Sequence, residues 1–440
     1  MKFRTLYPTG TSRAAGQLVR GRATIHYEEF GRADGVPALF LHGGPGAGCF
    51  PRHASFFDPS HYRVLLLDQR GCGRSTPRGD LDQDTATLVA DLEALREHLS
   101  LPAWGVVLGG SWGTTLALAY AQAHPQRVRA LVLRAVCLMR EREIRWLFAA
   151  GGMADLAPTA WSRFAAHGDD GGGDRGPDGV LRRYAEALAG ADGPARNSAA
   201  SAWMSWEGAV GGTGARLPAC PPPRDADDDG AAPADAGASW EWRPLERRWA
   251  HGAAALSTAG VRAALTDGWR PRVRAAVGVA AATPRPPPPP PPRRRERPGG
   301  DDADGDGDAA AGWTPSAKWW AERSGQKLLA ARTSATSSWV PSQPLLTCFY
   351  SSHRGFLGDD QLLKGCRRLR HIPCVAVQGA NDLICPPSTA LELHDAWPEM
   401  HLRVAPGAGH SMYDPALTHE VVEATDALRD WQKASGEESC

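Results

Sequence analysis

The 440-residue chain has no net charge, because Lys+Arg and Asp+Glu both number 49. No global field draws it to nucleic acid or to an anionic membrane surface, and neither is expected as a partner. It also has no run of eighteen apolar residues, so no segment reads as a membrane-spanning helix. Its nine cysteines include no C-x-x-C pair. An odd, scattered set of this kind argues against a disulfide framework and fits free thiols in a reducing compartment. The opening MKFRTLYPTGTSRAAG has no apolar core, which excludes a secretory signal. Lys2, Arg4, Arg13 and Arg20 with no acid among them leave an organellar presequence open. Tryptophan is abundant instead, at 16, and reads either as aromatic pocket walls or as bulky core.

Three textures follow one another along the chain. Residues 1 to about 208 alternate strand-like and helix-like segments. Ala38–Leu41, Val64–Leu67 and Leu131–Leu133 are short apolar runs, and Leu88–Leu99 has helical spacing with its charges on one face. The same texture returns after about 346, with strands expected at Pro373–Gln378 and Leu402–Val404 and helices at Leu391–Trp397 and Val421–Trp431. This alternation predicts an α/β fold with a mostly parallel central sheet covered by helices.

Residues 209–345 differ. They contain the acid run DADDDG at 225–230, seven prolines at Pro286–Pro292, RRRER at 293–297 and DDADGDGD at 301–308. Aliphatic residues are sparse, so burial cannot offset chain entropy and the stretch is expected to be a disordered insert. The proline run is a candidate ligand for an SH3 or WW-type domain, with a solvated spacer as the plainer reading. The abrupt edges also fit translated non-coding sequence retained within an otherwise coherent chain.

The stretch VVLGGSWGTTLALAYAQ, Val106 to Gln122, carries the chemistry. A buried strand passes through Gly109-Gly110-Ser111-Trp112-Gly113 into good helix formers. That is G-x-S-x-G in the strand–turn–helix setting of a nucleophile elbow. A serine hydroxyl needs a histidine base, and the imidazole needs an orienting carboxylate. In an α/β-hydrolase these follow the serine in the order acid, then histidine. VQGANDLICPP supplies Asp382 just past one strand, and APGAGHSMYD supplies His410 just past the next. Asp414 is too close to His410 in sequence to approach it from a separate strand. An oxyanion needs N–H donors: one is the amide of Trp112, and the other is expected from Gly43 and Gly44 in LFLHGGPGAG, 39–48. This loop carries neither G-K-[ST] nor G-x-G-x-x-G, so a phosphate cradle is disfavoured.

The stretches LFLHGGPGAG, LLLDQRGCGRSTP (66–77), GGSWGTTLALAYAQAHPQRV (109–128), WMSWE (203–207), VQGANDLICPP and AGHSMYD (408–414) together resemble the proline iminopeptidase family of α/β-hydrolases. They span most of 5–208 and 349–432. The resemblance implies a cofactor-free and metal-free serine exopeptidase that removes N-terminal proline from small peptides, with Ser111, Asp382 and His410 as triad. It implies the amides of Gly44 and Trp112 as oxyanion donors, and a helical cap whose W-x-x-W-E motif, Trp203, Trp206 and Glu207, receives the substrate amine. It further implies a hydrolase core at 1–138 and 369–440 and cap segments at 139–208 and 346–368, split by the insert. The family places a second acid before its G-F motif; aligned on Gly355, that position is Thr347, and Phe349 stands where a histidine is expected. The rival expectations are an esterase or amidase of other acyl specificity and an impaired hydrolase-like protein. In DQRG-x-G-x-S, Arg70 and Arg74 are expected to tie loops by charge-assisted bonds. Cys72 and Cys385 are expected near site loops. A family-like start at Leu6-Tyr7-Pro8 favours a cytoplasmic location.

Overall fold

The computed structural model describes residues 3–169, 176–190, 192–211 and 341–435. The strands are β1 (Ala14–Arg20), β2 (Ala23–Gly31), β3 (Val36–Leu41), β4 (Tyr62–Leu67), β5 (Val106–Gly110), β6 (Leu131–Arg134), β7 (Cys374–Gly379) and β8 (His401–Ala405). They form one eight-stranded sheet in the order β1-β2-β4-β3-β5-β6-β7-β8. β1, β2 and β4 pair antiparallel, and every other pair is parallel.

The inner strands are continuous apolar runs because both faces of the sheet are covered. Successive side chains alternate between those faces. Leu39, Leu41, Leu65 and Val107 join α1 (Thr85–His98) and α2 (Trp112–Ala123) on one side. Ala38, Phe40, Leu66, Val106 and Val375 meet the long C-terminal helix Pro415–Ser435 on the other. Asp84 starts α1 by accepting the Thr87 amide at 2.6 Å, which satisfies one orphan donor of the first turn.

Between β6 and β7 the described chain is helical: α3 (Glu141–Phe148), α4 (Met153–Leu156), α5 (Pro158–Ala165), α6 (Pro177–Ala189), α7 (Gly193–Gly211), α8 (Ser342–Ser352) and α9 (Gln361–Gly365). Then follow α10 (Pro387–Ala396) and α11 (Pro415–Ser435). α6, α7 and α8 pack together, with the Cys348 thiol donating to the Leu181 carbonyl at 3.4 Å. The cap core is aromatic: Phe164 stacks on Tyr184 and Trp206, and Trp203 meets Phe148 and Tyr184. Here the tryptophans of α7 are core before they are pocket.

The ends of the stretch read as an insert are helical: α7 runs to Gly211 and α8 begins at Ser342. The 209–345 boundaries therefore overreach by a few residues at each end. The acid run, the prolines Pro286–Pro292 and the basic run lie outside the described residues. Both flanks belong to cap helices, and the described strands form one sheet. Among the described residues no helix is long and apolar enough to cross a membrane, and no cluster of His, Cys, Asp and Glu is placed to hold a metal ion. The described cysteines are free thiols.

The DQRG segment ties loops. Arg70 makes a bidentate pair with Asp91 of α1, at 3.0 and 2.9 Å. Asp68 accepts the Cys49 amide at 2.6 Å and the Arg74 amide and Nε at 2.9 and 2.8 Å. It thereby joins the glycine loop after β3 to the loop after β4. The Arg70–Asp91 pair is buried, and Asp91 has a second cation in the more exposed Arg20, whose Nε donates to Oδ1 at 3.2 Å. Arg70→Ala leaves the buried carboxylate with that one partner and is expected to destabilise the fold by up to roughly 3–5 kcal/mol in urea unfolding; a loss below about 1 kcal/mol would show that the pair is screened like a surface ion pair.

Candidate active site

Four loops converge at the C-terminal ends of parallel strands, where open α/β sheets build their sites. They follow β3, β5, β7 and β8 and carry Gly43-Gly44, Ser111, Asp382 and His410 in turn. Ser111 sits between β5 and α2 with φ 56° and ψ −123°, a backbone conformation that L-residues rarely adopt. The flanking glycines make it attainable. A Cβ on Gly113 would lie 2.1 Å from the Leu41 carbonyl oxygen, and one on Gly109 would lie 2.2 Å from that of Gly113. The strained turn is tied to the sheet by the Ser111 amide, which donates to the Arg134 carbonyl at 2.8 Å.

Asp382 is buried and accepts from His410 Nδ1 at 2.9 Å on both oxygens. The amides of Ile384 and Cys385 donate to its Oδ1 at 3.0 and 2.9 Å. A carboxylate holding Nδ1–H leaves Nε2 of His410 as the basic nitrogen. Arg134 Nη1 donates to the His410 carbonyl at 2.8 Å and fixes that loop from beneath. Burial pulls the Arg134 pKa below its ordinary value, and the charge of Asp382 opposes that fall. Gln378 braces the same region: it accepts the Val136 amide at 3.1 Å and donates to the Cys385 carbonyl at 2.9 Å. Asp414 is engaged elsewhere, accepting the Ala416 amide at the start of α11. Among the described residues no hydrogen bond joins Ser111 to His410; the serine Oγ contacts the Cys385 thiol at 3.9 Å.

The glycine loop folds back over the elbow. A Cβ on Gly43 would come within 3.2 Å of the Ser111 Cβ, and Gly44 has φ +111°. Buried His42 anchors the loop. The Gln69 amide donates to its Nε2 at 3.1 Å, so Nδ1 carries the proton and donates to the Gly43 carbonyl at 2.9 Å. Burial lowers the His42 pKa, which suits this neutral form. Trp112 opens α2, so its amide has no carbonyl four residues back within the helix. Its indole Nε1 donates to Gln69 at 2.9 Å and its ring lies 4.5 Å from that of Tyr350.

A cavity of about 490 Å³ opens above these loops, and its wall includes Gly43, Gly44, Ser111, Trp112 and His410. The cap contributes Trp206, Glu207, Gln343 and Thr347 to the same wall. Glu207 accepts from Trp203 Nε1 and from Gln343 Nε2, each at 2.7 Å. Burial pushes the Glu207 carboxyl above the ordinary glutamate value, and these two hydrogen bonds act the other way. Trp203 is fully buried and stands behind Glu207, outside the wall. The motif Trp203, Trp206 and Glu207 is thus brought together, but Trp203 braces and does not face the cavity. Thr347 has no charge to offer; its hydroxyl donates to the Pro45 carbonyl at 3.1 Å. Buried Phe349 packs against Tyr350, His353 and Phe356, so the aligned position is filled by an aromatic cluster. Cys385 is at the site as expected, while the Cys72 thiol lies beneath it, 3.4 Å from His42 Nε2.

Arg134, Gln378 and Gln343 were not singled out from sequence. Arg134 ends a strand already recognised, and an arginine closing a buried apolar run is itself a signal. Nothing local marks Gln343, whose place depends on how α8 meets α7.

Residues 37–169 match the sequence model of the alpha/beta hydrolase fold. A probable proline iminopeptidase of Leptolyngbya boryana is 32% identical over 427 residues, 96% of this chain and 97% of that protein. A proline iminopeptidase of Arabidopsis thaliana is 31% identical over 97% of this chain and 82% of its own length. One from Neisseria gonorrhoeae is 32% identical over 92% of each. Likeness at this level, over nearly the whole of both chains and on this fold, places the protein in the proline iminopeptidase family of α/β-hydrolases.

Proposed function

We propose that the protein is a serine exopeptidase that releases proline from the N-terminus of small peptides through an acyl-enzyme on Ser111. One observation carries the reading: the elbow serine, His410 and the Glu207 carboxylate share one cavity, with Asp382 holding His410 from behind the wall. A carboxylate set apart from the acyl-transfer groups suits a substrate whose amine lies close to the scissile carbonyl. The names of the full-length relatives support the same substrate class.

In this mechanism the prolyl ring enters beside Trp112 and Trp206, and its ammonium pairs with Glu207. The Ser111 hydroxyl turns from the Cys385 thiol to Nε2 of His410, a tightening typical of catalytic hydrogen bonds when substrate arrives. His410 takes the hydroxyl proton as Oγ attacks the prolyl carbonyl. Asp382 holds the imidazole and stabilises the imidazolium. The Trp112 amide, with that of Gly43 or Gly44, receives the oxyanion. His410 then protonates the leaving peptide amine, and water frees proline by the same route. No cofactor or metal enters these steps. An esterase of other acyl specificity would use the same serine but has no role for Glu207. The reading of an impaired enzyme rests on a cap disrupted by the insert, with Thr347 in place of the second acid; against it stand Glu207 in the cavity wall and the packing of α6, α7 and α8. The proposed SH3 or WW-type contact at Pro286–Pro292 lies outside the described residues.

Ser111→Ala should lower kcat/KM for a chromogenic proline amide by about 10⁶-fold, and Asp382→Asn by about 10⁴-fold, with the thermal unfolding midpoint retained. Near-normal turnover in the alanine variant would exclude the mechanism.

The second test uses the ratio of kcat/KM for the proline amide to that for an activated ester lacking an amine. His410 serves both substrates and cancels; Glu143, also in the wall and raised by burial, is paired with Arg140 at 2.6 Å, and the Glu207→Gln variant separates its titration from that of Glu207. Protonating Glu207 removes the anion that holds the ammonium. Its pKa is raised, so the ratio should fall as pH drops through a value above the usual 4.5. Glu207→Gln should lower the neutral-pH ratio by about 30-fold or more and abolish this dependence. A pH-independent ratio in the unmodified protein would exclude Glu207 as the amine anchor.

A further inference from the structure

Glu207 is held at both oxygens by neutral donors from two sides. Trp203 reaches Oε1 from the buried interior of the cap, and Gln343 reaches Oε2 from the first turn of α8. Only Gln343 of these two donors lines the cavity. One turn further along α8, Thr347 is committed to the Pro45 carbonyl. The polar group that α8 places beside Glu207 is therefore a carboxamide.

That carboxamide has a defined orientation. An ionised carboxylate only accepts, so the NH₂ end of Gln343 must face Glu207. The carbonyl oxygen Oε1 is the remaining polar atom of the same planar group, and no donor reaches it among the described residues. A prolyl terminus is a secondary ammonium with two N–H donors on one nitrogen. A carboxylate and an adjacent amide oxygen can accept one each. The amide does so without a second negative charge, which would repel Glu207 and favour its protonation.

We propose, on the reading of Glu207 as the amine anchor, that Gln343 is a specificity-determining residue whose Oε1 accepts the second N–H of the substrate's secondary ammonium. Its Nε2 meanwhile keeps the Glu207 carboxylate aimed. The subsite is thus a carboxylate–carboxamide pair of single negative charge, matched to a singly charged amine with two donors.

The experiment compares the full chain carrying Gln343→Ala, Gln343→Met or Glu207→Gln, each assayed on a proline amide with free amine and on the amine-free activated ester. Methionine keeps the length of the side chain and removes its acceptor. Both Gln343 variants should lower the amide-to-ester ratio of kcat/KM about tenfold, the loss of one hydrogen bond to a charged group, with the change in KM for the amide. If Glu207→Gln lowers the ratio and neither Gln343 variant does, this inference is overturned while the reading of Glu207 stands. A loss shared equally by amide and ester would also overturn it, since Gln343 would then be acting through the fold of the site. If Glu207→Gln leaves the ratio unchanged, the amine-anchor reading fails and this inference fails with it.

Discussion

The site depends on one close approach, that of the elbow to the loop after β3. Gly113 sits so near the Leu41 carbonyl that no side chain fits between them. The contact lets Ser111 occupy a strained conformation, with a cost of about 1–3 kcal/mol that the surrounding sheet must hold. Strain of this kind persists only where the neighbours over-determine it. Here they do: β3 and β5 pair in parallel register, the Ser111 amide is tied to β6, and α2 starts at once beyond it. The same approach sets the glycine loop over the hydroxyl, so the proposed nucleophile and the proposed oxyanion donors are placed by one packing decision.

The cap reaches that loop through α8. Thr347 bonds to Pro45, and a Cβ on Gly46 would come within 3.0 Å of both the Ser342 carbonyl oxygen and the Gln343 Cα. α8 thus touches the glycine loop after β3 on one flank and Glu207 on another. Any displacement of its first turn would reach both the proposed acyl-transfer groups and the proposed amine anchor. The residue aligned with the expected second acid has become part of this seam. α7 and α8, the helices on either side of residues 212–340, are both built into the cap core.

Much of this was legible in the sequence, for identifiable reasons. The β5–Ser111–α2 unit announces itself because only glycine tolerates its geometry, and the inner strands because burial on both faces leaves continuous apolar runs. Asp382 and His410 could be found because both lie just beyond such runs in the order that the fold requires. β1 and β2 were missed: Ala14–Arg20 alternates exposed and half-buried residues on a sheet edge and has no apolar run. Arg134 and Gln343 were missed because their roles arise from tertiary contacts across 276 and 136 residues. The role of Trp203 was half legible. Its motif named it, but the packing of α7 turned it behind Glu207.

The central claim is that acyl transfer and amine recognition are joined in one cavity of this 440-residue chain. The most direct measurement is hydrolysis by the purified full chain of one chromogenic proline amide in two forms, with the amine free and with it acetylated. The account predicts ready release from the free amine and loss of nearly all of it on acetylation, because an uncharged, blocked nitrogen cannot pair with Glu207. Equal release from the two forms would contradict it, and so would release from neither.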